Sequence, residues 1–156
     1  MKRHTIPLVM TVLTLAIILL PAAASAQDAG VTGAGAGALP VNTLLNAVSV
    51  SGLQFGMGVY IPGDGSAQGQ FQATLLGLSL LGLPQNIEVE GQATTGSSPT
   101  GSRTFSGTAT VDMGDGLPPL TNVPFTVTAT STTLVLILGL TNLPAATLTA
   151  GTIAIQ

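Results

Sequence analysis

Cysteine and tryptophan are absent from this 156-residue sequence, and histidine and tyrosine each occur once. Three basic and six acidic residues carry all of its charge. Without cysteine no disulfide framework can form, so the fold must hold by its own core. Three of the scarce polar groups, Lys2, Arg3 and His4, are spent in the first four positions. Behind them an apolar run extends from Ile6 to Leu20, closed by Pro21 and followed by Ala24-Ser25-Ala26. A basic start, an apolar run and a small-x-small end read as a secretory signal over residues 1–26, cleaved after Ala26. The run is shorter than the roughly 20 apolar residues of a spanning anchor helix. No cysteine follows the small residues, which argues against a bacterial lipoprotein.

Cleavage there leaves one cation, Arg103, against Asp28, Asp64, Glu88, Glu90, Asp112 and Asp115, a net charge of −5. Such a chain lacks the commonest general acid/base and transition-metal ligand. Ordinary zinc sites and Ser-His or Cys-His catalysis are excluded with it. A single arginine cannot neutralise a phosphate backbone, so nucleic acid is excluded as a partner.

Residues 27–40, QDAGVTGAGAGALP, are Gly/Ala-rich and read as a flexible leader. From there residues 41–156 form one β domain, because the hydrophobic period is two. In RTFSGTATVDM, Phe105, Gly107, Ala109, Val111 and Met113 share one face, opposite Thr104, Ser106, Thr108, Thr110 and Asp112. NVPFTVTAT places Val123, Phe125, Val127 and Ala129 inward, and NIEVEGQA does so for Ile87, Val89 and Ala93. Phe71, Ala73 and Leu75 follow the same rule, as do Leu53, Phe55, Met57, Val59 and Ile61. Gly56 and Gly58 on the opposite face suggest close approach of a neighbour.

Three segments are less regular. Leu44–Val50 reads as a first strand or a short helix, and LVLILGL (134–140) as a central strand buried on both faces. Thr147–Ile155 changes phase, which a bulge at Gly151 would explain. A helical turn or two has room only in LLGLSLLGL (75–83). Turn chemistry separates the strands at PGDG (62–65), GSSPTG (96–101), GDGLPP (114–119) and TNLP (141–144). The expected fold is therefore all-β, an antiparallel sandwich or small closed barrel of seven to eight short, Thr-rich strands. A weak echo links LLGLSLLGLPQNIEVEG to LILGLTNLPAATLTAG, with Leu83 and Gly91 matching Leu143 and Gly151, as a duplication would leave. The scarcity of aromatics argues against an outer-membrane barrel.

Few residues remain to carry chemistry. Asp112 and Asp115 in VDMGDGLPPL are weak candidates for a Ca2+ site, yet the spacing fails the EF-hand pattern. The Asp-Gly pairs there and at Asp64-Gly65 suit turns. Glu88 and Glu90 share one strand face and are read as a solvated surface rather than a hydrolytic pair. Arg103 is expected to pair with Glu88 or Glu90 across strands, anionic-ligand binding being the sharper alternative. Thr126, Thr128 and Thr130 beside Thr108 and Thr110 would make a threonine ladder able to order water. The expected function is a secreted, non-enzymatic β domain with a structural, adhesive or envelope-associated role, meeting a cell-surface or matrix partner and needing no cofactor. The alternative is a small barrel carrying an apolar ligand, and a filled or empty interior distinguishes the two.

Overall fold

A computed structural model describes residues 28–156, and the expected signal peptide, residues 1–26, lies outside them. Ten antiparallel strands form one sheet: β1 (Ala29–Ala38), β2 (Leu44–Leu45), β3 (Val48–Ile61), β4 (Ser66–Leu78), β5 (Ile87–Ser97), β6 (Arg103–Asp112), β7 (Leu120–Ala129), β8 (Thr133–Leu138), β9 (Thr141–Asn142) and β10 (Ala146–Ile155). Eight of them pair around a ring, β1-β3-β4-β5-β6-β7-β8-β10 and back to β1. The two-residue strands β2 and β9 decorate β3 and β8. The expected all-β class is therefore realised as a closed up-and-down barrel, each long strand lying beside its neighbour in sequence.

This alternation of direction gives the barrel two unlike ends. Segments 39–47, 79–86, 113–119 and 139–145 connect strands at the upper end. Segments 62–65, 98–102 and 130–132 connect them at the lower end, where Asp28 and Gln156 also lie.

The inward rows read from the alternation are buried, including Phe55, Val59, Leu75, Val89, Ala109 and Val127. Phe71, Phe105 and Phe125 meet in the middle: Phe71 stacks on Phe125 at 5.9 Å between ring centroids, and Phe105 meets both edge-on at 6.1 and 6.2 Å. Gly91 makes room for this cluster, because a Cβ there would stand 2.7 Å from the Phe125 ring. The outer wall carries Gln54, Gln70, Gln72, Glu88, Glu90, Gln92, Thr108 and Thr110 on strands β3 to β6.

The largest departure from expectation concerns residues 27–40. Instead of a leader, residues 29–38 form β1, which pairs with β3 on one side and β10 on the other and so closes the ring. Its inward row begins with the buried Ala29 and Val31 and continues as Gly33, Gly35 and Gly37, where added Cβ atoms would meet Thr152 O at 2.7 Å, Ala150 O at 2.2 Å and the Ala146 Cβ at 3.2 Å. The glycines that resembled a linker are the condition for β1 and β10 to approach.

Smaller corrections follow the same geometry. Leu44–Val50 holds β2, a turn at Asn46-Ala47 and the start of β3 rather than a helix, and 75–83 holds the end of β4 and a turn. Gly56 and Gly58 have no heavy atom within 4 Å of a built Cβ, so they open the outer wall rather than admit a neighbour. Strand β8 is buried on one face only: Leu134, Leu136 and Leu138 point in, while Val135 and Ile137 are half-buried outside. The bulge in β10 falls at Thr149, between the pairs Ala36–Ala150 and Gly37–Leu148. Gly151 instead adopts φ +88° opposite Gly35. The sequence echo maps onto β4-loop-β5 and β8-loop-β10, half a turn of the ring apart.

Candidate functional site

Asp64, Asp112 and Asp115 each close a turn by accepting from a main-chain N–H two residues on. Asp112 Oδ1 accepts from the Gly114 N–H at 2.9 Å, and Asp115 Oδ1 from the Leu117 N–H at 3.0 Å. Gly114 and Gly116 take φ of +64° and +79°, the left-handed conformation that such reversals require. Gln85 Nε2 ties this loop to its neighbour by donating to Met113 O at 2.9 Å. At the lower end Asp64 Oδ1 accepts from the Ser66 hydroxyl at 2.7 Å and the Ser66 N–H at 2.9 Å. These bonds, the hydroxyl's first, hold the Asp64 carboxyl below its ordinary range.

Calcium takes six to eight oxygens. Among the described residues no three Asp, Glu, His or Cys side chains gather as such a site would require. The nearest acidic neighbour of Asp112 by register is Glu88, directly opposite on β5. Like charges so placed oppose strand pairing rather than assist it. Glu90 faces Thr110 on one side and Gln72 on the other. Both glutamates border shallow furrows on the outer wall, of about 350 and 320 Å³, among glutamine and threonine side chains.

The expected Arg103–glutamate pairing does not form, because the register sets the two groups at opposite ends of β6: Glu88 meets Asp112, whereas Arg103 begins the strand. Arg103 donates instead to three main-chain oxygens. Its Nε reaches Gln156 O at 2.9 Å, a second guanidinium nitrogen reaches the same oxygen, and the third bonds Ser102 O at 2.7 Å and Pro99 O at 3.2 Å. A guanidinium so engaged has few donors left for an anionic ligand. It links β6 to the end of β10, two strands that do not pair. Arg103→Gln is expected to lower the unfolding free energy by about 1–3 kcal/mol, read from the midpoint of urea denaturation.

Around Arg103 the lower end opens as a cleft of about 660 Å³ lined by Ile61, Ile155, Asp28 and the 98–101 turn. On its flank Tyr60 donates to Asp28 Oδ2 at 2.6 Å. This bond, with lesser contributions from desolvation and the Asp28 and Asp64 charges, raises the Tyr60 phenol above its ordinary range.

The threonine rows of β6 and β7 are adjacent, with partners shifted from those expected. Thr128 bonds Thr104 at 2.9 Å and Thr126 bonds Ser106 at 2.8 Å, hydroxyl to hydroxyl, while Thr108 faces Pro124. Hydroxyls committed to one another offer less to ordered water than free ones.

One feature escaped the reading of single residues: the upper end is apolar. Val41, Leu44, Leu78, Leu80, Leu81, Leu83, Leu117, Leu120 and Leu140 are all exposed there, Leu140 completely. A hint lay in the leucines of the four connecting segments, but alternation assigns no face to a residue in a turn. No family model, curated protein or solved structure matches this chain.

Proposed function

We propose that the chain is a secreted, non-enzymatic β domain with a structural, adhesive or envelope-associated role. The observation that carries this reading is the filled barrel: three stacked and edge-on phenylalanine rings occupy the space a ligand would need. The distribution of polarity supports it. Apolar rows face inward and Gln, Thr and Glu rows face outward, the reverse of a lipid-embedded barrel with a polar lumen. Among the described residues, no helix is long and apolar enough to cross a membrane. Asp64, Asp112 and Asp115 stabilise turns and Arg103 ties strands together, so four of the seven ionised side chains among the described residues are occupied by the scaffold. Export rests on the basic, apolar and small-x-small pattern of residues 1–26.

The carrier alternative retains one supporting observation, the lower cleft with Ile61 and Ile155 on its walls. Titration with a fluorescent long-chain fatty acid separates the two. A scaffold gives a shallow, non-saturating signal. Saturable binding near one equivalent would overturn the scaffold reading in favour of a carrier.

A further inference from the structure

The upper end of the barrel presents more apolar surface than a water-soluble end requires. Nine large aliphatic side chains stand on or beside four separate segments, with relative exposures from 49% at Leu78 to 104% at Leu140. Gathered at one end they form a cluster, whereas surface hydrophobics scattered singly need no explanation. Among the described residues the opposite end contributes only Tyr60 to the exposed large hydrophobics. The described barrel is therefore amphipathic along its axis, although its wall is polar on β3 to β6, with Val135 and Ile137 half-buried on the outside of β8.

Two observations narrow what covers this end. A second copy set crown to crown would bring Asp112 and Asp115 near their own images, with no cation to offset them, since Arg103 is at the far end. The most exposed tips also stand on different segments: Val41 on the first, Leu80 and Leu81 on the second, Leu140 on the fourth. Side chains that project separately are covered best by a phase that moulds around each, as the acyl region of a lipid layer does. The acidic collar of Glu88, Asp112 and Asp115 and, among the described residues, the lack of a nearby cation then select the headgroup. They disfavour anionic lipid, which polybasic surfaces seek.

From this geometry we infer that the barrel docks end-on to a neutral, zwitterionic lipid surface, with Leu80, Leu81, Leu117 and Leu140 entering it. The inference rests on the envelope-associated reading and names its surface. The occupied interior contributes nothing to it, so the two fail separately.

Co-flotation of the purified protein with phosphatidylcholine vesicles tests it, beside vesicles containing phosphatidylglycerol. The protein is expected to float with the neutral vesicles and less with the anionic ones. A Leu80→Gln, Leu81→Gln, Leu140→Gln variant should lose at least tenfold in partition while keeping its melting temperature, because these side chains pack against nothing. Tyr60→Gln, at the other end, should float as the parent does. Absence of flotation, stronger flotation with anionic vesicles, or equal loss in the Tyr60 variant would each overturn the proposal. So would a concentration-dependent dimer abolished by the triple substitution without any vesicle binding. Saturable fatty-acid binding, by contrast, would count against the scaffold reading and leave the flotation result standing.

Discussion

Gly35→Val should cost the barrel about 3 kcal/mol or more, at the upper end of overpacking penalties. The added Cβ alone would lie 2.2 Å from Ala150 O and 3.1 Å from the Gly151 Cα. These are backbone atoms of a paired strand, and they cannot swing aside as the end of a side chain can. Relief requires β1 to leave β10, and β1 is the strand through which the ring closes. A drop of roughly 10 °C or more in melting temperature should accompany the change in denaturant midpoint. Gly56→Val is the matched control. It sits on the facing strand β3, where a Cβ meets nothing within 4 Å. There a β-branched residue suits an exposed strand, so stability should stay within about 0.5 kcal/mol or rise slightly. Equal losses at the two positions would mean that β1 does not pack against β10 as described.

Phe125→Ala should be comparably severe, about 3–5 kcal/mol, because it removes a buried ring from a three-ring cluster that has little freedom to collapse. The more discriminating result is a change of sign at Gly91. In the parent, Gly91→Ala drives a Cβ to 2.7 Å from the Phe125 ring and should destabilise by about 1–3 kcal/mol. In the Phe125→Ala background the same methyl faces the vacated space and should be neutral or stabilising. A double-mutant cycle would then give a coupling of about 1 kcal/mol or more. Additive effects would show that the ring does not rest on Gly91. The Phe125→Ala protein should also take up a small apolar probe such as benzene, as dry engineered cavities do. The parent should take up none at the same concentration.

Much of this architecture was legible before any coordinates, for a specific reason. Where apolar and polar residues alternate, as in Phe105–Val111 or Phe71–Leu75, one face repels water and the other does not, and burial follows. The first strand escaped because, beyond Val31, its inward slots hold glycine. Gly33, Gly35 and Gly37 alternate with Thr32, Ala34 and Ala36 as regularly as any pair of rows, but glycine against alanine gives no hydrophobic contrast. Their meaning lies in the main chain of residues 150–152, more than a hundred positions away. Arg103 misled for a related reason. Glu88 and Glu90 lie on the adjacent strand, yet the pairing register sets them at the other end of β6 from Arg103. The Asp-Gly turns were read correctly because a reversal with an Asx bond is a local affair. The apolar upper end was the hardest to foresee. A leucine in a turn carries no sign of whether the chain folds over it, and leucine is more often inside than out.

The ring is not equally strong all the way round. Strands β8 and β10 share only Ala146–Leu134 and Thr147–Thr133, whereas β1 matches β3 over ten residues. Among the described residues, no strand pairs with the far side of β10 between Thr149 and Ile155, and Arg103 holds the chain just beyond, at Gln156. This junction is the place where the closed form can come apart without breaking the rest. Amide hydrogens of Thr152 and Ala154, which face β1, should exchange well before those of Val89 or Val127, and the difference should widen in a chain lacking the Arg103 side chain. An opened molecule would be a curled sheet with two uncharged borders, one on Val135 and Ile137 and one on Ile153 and Ile155. Such borders invite exchange of strands between copies. The single arginine of the barrel thus has a second consequence: by keeping the last strand in place, it guards a protein almost free of charge against assembling with itself.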